Sequence, residues 1–282
     1  MTLALDAFTK SALFQGSTSS THTPTGTPRA VLILVAQDGD DTEESGTFTY
    51  GGVSVPRTPG ISFAQDTATE FMASYAFFLG ASIPTGAQTV AASGWGAADK
   101  VFWVITLTAA ADTAVEDVER AQENQANPSV NLTTTVETWV ANILMSGQGT
   151  QAAATAGSGY TKLDNNDFGQ QVALVETINT PASAGTVASG WTVTSDDVAM
   201  IAVAIKEVSG TLVQQTLSTS GSGSPSLLKT PTKVLGASGT AARVLVRAPS
   251  RVLSASGVSI PKLLKTPIRT FTTLVGTAVL VY

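Results

Sequence analysis

The chain of 282 residues contains no cysteine and a single histidine, His22. Disulfides, thiolate metal sites and cysteine nucleophiles are thereby excluded, and a zinc site of the usual type lacks its donors. Charge is scarce as well: 13% of the residues are Asp, Glu, Lys or Arg, against roughly 25% in typical soluble domains. Long amphipathic helices carry such residues on their wet face, so the shortage argues against them. Thr, Ser, Ala and Gly fill the gap, and these residues suit β-surfaces and turns. The longest apolar runs, such as Val31–Ala36 and Val198–Ile205, have strand length and fall far short of a membrane span. The opening Met1-Thr-Leu-Ala-Leu-Asp6 has no basic segment and is broken by an acid. No secretory signal is expected, and the chain reads as soluble and made in a cytoplasm. Phosphate-cradling glycine motifs are missing too.

One sign of charge disappears altogether towards the C-terminal end. Residues 208–282 hold eight bases and no acid, a formal +8, whereas residues 1–207 hold 21 acids and seven bases, a formal −14. Such asymmetry marks a segment that meets an acidic partner. Only Phe271 and Tyr282 are aromatic among these bases, so a base-stacking platform for nucleic acid is disfavoured. An acidic protein surface, including the body of a neighbouring copy, is the expected partner.

Within this basic segment a phrase of 18 residues recurs without slips. Leu227-Leu-Lys-Thr-Pro231 returns as Leu245-Val-Arg-Ala-Pro249 and as Leu263-Leu-Lys-Thr-Pro267. Leu217, Leu235, Leu253 and Phe271 form one column of the repeat. Lys229 with Lys233, Arg247 with Arg251, and Lys265 with Arg269 share a strand face by parity and form basic columns. A fixed period signals a unit that stacks, because one copy cannot bury its own apolar side. The six-residue apolar order of a left-handed β-helix fails, since steps of six from Leu217 reach Gly223 and Lys229. Two short strands with a Ser-Gly turn instead resemble the shaft repeats of viral fibres, in which three chains intertwine. An arm docking on a repeating surface is the alternative.

Three regions follow: an extended leader over 1–28, a β-sandwich domain over 29–207, and the basic repeat over 208–282. Strand-length runs in the middle region lie between turn signals, as in Ala30–Ala36, Thr47–Val55, Phe71–Leu79, Lys100–Leu107, Trp139–Met145 and Val198–Ile205. Ala111–Asn124 fits either a short helix or a polar edge strand. The fold class expected is all-β, an antiparallel sandwich of jelly-roll type followed by a β-repeat region.

Little chemistry is legible. His22, within Ser-Thr-Ser-Ser-Thr-His-Thr-Pro, reads as a solvated loop residue. Asp38, Asp40 and Asp41 follow the strongest strand in Asp38-Gly-Asp-Asp-Thr-Glu-Glu44 and are candidate Ca²⁺ ligands. Thr49 stands where an EF-hand needs its glutamate, and a solvated hairpin tip is the competing reading. Asp164-Asn-Asn-Asp167 is a second acidic candidate with the same competing reading, a turn. Trp95, Trp103, Trp139 and Trp191 read as core rather than as a sugar platform. No other cofactor, and no enzyme activity, is expected.

Several phrases, among them Val31-Leu-Ile-Leu-Val-Ala, Phe48-Thr-Tyr-Gly-Gly-Val, Tyr75-Ala-Phe-Phe-Leu, Ile83-Pro-Thr-Gly, Gly157-Ser-Gly-Tyr-Thr and Ser195-Asp-Asp-Val-Ala-Met, carry a family likeness. They resemble the β-sandwich domain that recurs in structural proteins of tailed bacteriophages, over roughly residues 27–207. The resemblance implies a virion component: a fibre or minor tail protein, or alternatively a capsid decoration protein. No site residues come with it. A receptor-binding or carbohydrate-binding module is a further alternative.

Overall fold

The computed structural model of the chain describes residues 3–40, 42–67, 71–147, 154–168, 171–178, 181–194 and 197–208, and beyond these five strands. It divides into two compact units, Met1–Val208 and Ser209–Tyr282.

The first unit is built from two halves with one plan. The first half supplies β1 (Ala4–Lys10), β2 (Thr18–His22), β3 (Ala30–Asp38), β4 (Thr47–Tyr50), β5 (Val53–Val55), β6 (Phe63–Asp66), β7 (Met72–Leu79), β8 (Gln88–Ser93) and β9 (Asp99–Thr108). The second supplies β10 (Thr113–Asn124), β11 (Ser129–Thr134), β12 (Thr138–Ser146), β13 (Thr155–Ala156), β14 (Tyr160–Asp167), β15 (Val172–Ile178), β16 (Gly185–Thr192) and β17 (Asp197–Glu207). Each half forms a large antiparallel sheet, β1-β9-β3-β7-β6 and β10-β17-β12-β15-β14. Each also forms a smaller one, β2-β8-β4-β5 and β11-β16-β13. Among the described residues the orders coincide strand for strand, with β5 the one strand that has no counterpart.

The two large sheets lie face to face, and each smaller sheet covers the outer face of its own large one. Leu32, Leu34, Trp103 and Ile105 of the first half pack against Trp139, Ile143, Ile201 and Ile205 of the second. On the far side of the same strands, Val31, Ile33, Phe102 and Val104 meet Phe48, Tyr50, Val90 and Trp95. In the second half Leu144, Leu174 and Met200 meet Trp191 and Val193, while Val140 and Ala204 meet Leu132. The result is four layers rather than the single sandwich expected. It explains why β3 and β17 read as unbroken apolar runs: both faces are covered. The outer strands are wet on one side and alternate instead, as in Thr18–His22 with exposed Ser19 and Thr21. Gly51 and Gly52 form the β4–β5 hairpin, where φ is 56° and 82°, the two positive values of a type I′ turn.

The leader expected over 1–28 differs from what is found. β1 pairs along its length with β9, and β2 pairs with β8. Its polar Ser/Thr composition is that of strands with a solvent face. Ala111–Asn124 resolves as strand rather than helix, and β10 forms an edge of its sheet.

In the second unit, β18 (Val213–Leu217), β19 (Lys233–Ser238), β20 (Val252–Ser256), β21 (Thr270–Leu274) and β22 (Thr277–Val281) form one sheet, ordered β18-β19-β20-β22-β21. The first two pairings are parallel and the last two antiparallel.

Candidate functional site

The expected calcium loop is pinned by cations. Asp38 ends β3, and the Asp40 carboxylate accepts the Thr42 amide at 2.8 Å, a turn within the loop. Asp41 lies outside the described residues. Further along the loop, Glu43 pairs with Arg57, and Glu44 pairs at 2.9 Å with Lys100. The Lys100 ammonium is fully buried and also donates to the Ala98 carbonyl at 2.9 Å, with the Trp95 ring 5.8 Å away. Among the described residues no three His, Cys, Asp or Glu side chains gather with metal-binding geometry. The Asp164–Asp167 run is strand β14 rather than a turn. Asp164 accepts the Trp103 indole N–H at 2.8 Å and faces Lys10 at 3.6 Å.

His22 is the largest correction among single residues, for its side chain is fully buried. Nδ1 lies 2.9 Å from the Thr9 hydroxyl and Nε2 lies 3.0 Å from that of Thr106. The tautomer follows from the next bond outwards. Thr106 donates its only proton to Asp6 at 3.1 Å, so it must accept Nε2–H from His22, and Thr9 must donate to Nδ1. Asp6 also takes the Thr25 hydroxyl and the Gly26 amide, at 2.6 Å and 2.7 Å. Burial lowers the histidine pKa, partly offset by Asp6. The segment was expected to be solvated because its neighbours are polar; pairing with β8 turns every second residue inward.

A second buried polar group lies between the sheets of the second half. Asn142 of β12 accepts the Trp191 indole N–H at 2.7 Å, and this fixes the orientation of its amide. The amide nitrogen then donates to Ser189 at 2.7 Å and to the Glu176 carboxylate. The other carboxylate oxygen takes the Gly157 amide at 3.0 Å. Gly157 is pressed against the Gly190 carbonyl, which would stand 2.5 Å from an added Cβ. The position admits only glycine, and the close approach brings its N–H to the acid. Nothing in the sequence around Glu176 distinguishes it from a residue on a wet strand face.

All four tryptophans are buried, so none offers an exposed face for stacking sugars. Of the assembly residues, Leu235 stands opposite Leu253, the repeat's own spacing of 18 residues. Leu253 stands opposite Leu280, which stands opposite Phe271. Leu217 faces Ala237 and so falls outside that row. Lys233 opens β19 opposite Val213. Lys229, Arg247, Arg251, Lys265 and Arg269 lie outside the described residues. No helix among the described residues is long and apolar enough to cross a membrane. No protein-family model, no curated protein and no solved structure matches the chain.

Proposed function

We propose that this chain is a non-enzymatic structural component of a bacteriophage virion, most simply a fibre or minor tail protein. The first unit is the displayed body; its antiparallel sheets packed as sandwiches support reading each half as jelly-roll-like, an architecture common in capsid and lectin domains. The basic repeat joins copies, as a trimeric shaft, or tethers them to acidic surfaces of other virion proteins. The observation that carries this reading is the repeat itself. Its period recurs as a backbone register, Leu235 opposite Leu253, in a segment that has eight bases and no acid. Stacking would remove apolar surface from water at about 25 cal/mol per Å². The basic columns would set partner choice and assembly rate more than affinity.

Light scattering after size exclusion tests it, with the full chain beside a truncation ending at Val208. A trimeric full chain and a monomeric truncation support the shaft. Two monomers favour a docking arm, and with it a capsid decoration protein; labelled antibody on capsid rather than tail in particle images would then identify the shell as the site. Binding of the first unit to host glycans would point to the receptor-binding alternative.

A further inference from the structure

Glu176 occupies the middle of β15, fully buried between the sheets of the second half. Both donors that meet its carboxylate, the Asn142 amide and the Gly157 N–H, are neutral. The same acceptor network ties together three strands and a loop: Asn142 on β12, Ser189 and Trp191 on β16, and Gly157 just after β13. The first half has its own tryptophan, Trp95, after the strand equivalent to β16. There Trp95 sits among Phe48, Tyr75 and Phe77, and the nearly buried acid beside it, Glu44, takes the Gly96 amide but is also paired with Lys100. The acid of the first half thus has a cation against it, whereas the Asn142 and Gly157 donors to Glu176 are neutral.

We propose that Glu176 is a proton-operated latch on the β11-β16-β13 sheet: protonated, its carboxyl stays buried beneath the sheet without a charge; ionised, the buried charge favours opening of β13 and β16. The charged and titratable groups around it are few. On β14, Lys162 stands opposite Glu176 in the ladder, and the Tyr160 phenol lies on the same strand. β12, β16 and the 154–159 loop carry no charged residue. Tyr160 is pushed up to about 12 by burial, with Glu176 adding to the rise, so it stays neutral and offers no countercharge.

Burial raises the Glu176 carboxyl to about 7, against the opposing pull of Asn142 and Gly157. The sign is that of a raised acid. The closed form keeps its proton up to about pH 7 whereas an opened form releases it near 4.3, so stability is complete below the lower value and is lost as pH rises through the upper one. Between pH 6 and pH 8 the opening equilibrium of the latch grows about tenfold by this linkage. The latch stands or falls independently of the virion reading, since it needs neither the repeat nor a partner.

The test is hydrogen exchange by mass spectrometry on the full chain, comparing wild type with Glu176→Gln at each pH so that intrinsic exchange cancels. The wild-type to variant ratio of exchange rates in peptides covering β13 and β16 should rise about tenfold from pH 6 to pH 8. A ratio that stays constant, or a rise shared equally by β2 and β8 of the first half, would overturn the latch. Should the variant fail to fold, carboxyl ¹³C spectra of the wild type decide: a glutamate titrating near pH 7 is expected, and the absence of any above about pH 5 refutes it.

Discussion

Lys10 and Arg120 make the same bond at opposite edges of the paired large sheets of the first unit. Arg120, on the first strand of the second half, donates at 2.9 Å to the Phe63 carbonyl of β6. Lys10, on the first strand of the first half, donates at 2.8 Å to the Asn165 carbonyl of β14. β6 and β14 are equivalent strands, so each half reaches across to the other in the same way. The bulges agree as well: the register skips Asp6 in β1 and Glu116 in β10. Asp6 takes the amide of Gly26 and Glu116 the amide of Thr135, each in the loop after the second strand of its half.

Removing either cross-half bond is expected to cost about 1 kcal/mol, the scale of a partly solvated charged donor. Lys10→Ala and Arg120→Ala lie at opposite edges, so their effects should add to within about 0.5 kcal/mol in urea unfolding. A marked departure from additivity would mean that the halves do not behave as independent edges of one interface.

The Lys100–Glu44 pair should respond very differently. Lys100 is completely enclosed and Glu44 nearly so, and removing one partner of such a pair leaves the other charged and buried. Lys100→Met or Glu44→Gln is expected to destabilise by about 3–5 kcal/mol. The double variant should lose less than the sum of the two, and chemical denaturation of all four proteins measures the difference.

His22 makes stability fall on the acid side, opposite in sign to Glu176. Its folded pKa lies below the ordinary 6.5, so the unfolded chain binds the extra proton first. The contribution is present above about pH 6.5 and is lost as pH falls through the folded value. Thermal midpoints should therefore drop below pH 6.5 in wild type and drop less in His22→Gln. Nitrogen NMR of the imidazole should show the proton on Nε2.

Replacing Leu235, Leu253 and Phe271 together by Ser should abolish assembly of the full chain while the first unit keeps its far-UV circular dichroism. Light scattering at equal concentration checks this. Normal assembly of the triple variant would remove the apolar column from consideration.

Strand positions were legible where burial is two-sided, as in Val31–Ala36, because unbroken apolar runs leave few alternatives. β1 and β2 were missed because their exposed Ser and Thr positions imitate a linker, and β14 because Asp164-Asn-Asn-Asp167 imitates a turn. The doubling of the fold did leave a trace: Thr89-Val-Ala-Ala-Ser-Gly-Trp95 and Thr186-Val-Ala-Ser-Gly-Trp191 are near copies that run along equivalent strands β8 and β16. The Glu176 network was out of reach, since it depends on five residues from three strands and a loop brought together by sheet pairing.

In each half the first strand pairs with the last, and Ala4 waits for Thr108. Neither large sheet can close until its own final strand has been made. Non-local closure of this kind is slow, yet the first half completes its complement of strands before β10 begins. During synthesis, which proceeds at about 5–20 residues per second, it therefore has a head start. Its apolar inner face must remain uncovered until the second half arrives, so the chain passes through a stage at which that face can capture the wrong sheet, including the same face of another nascent copy.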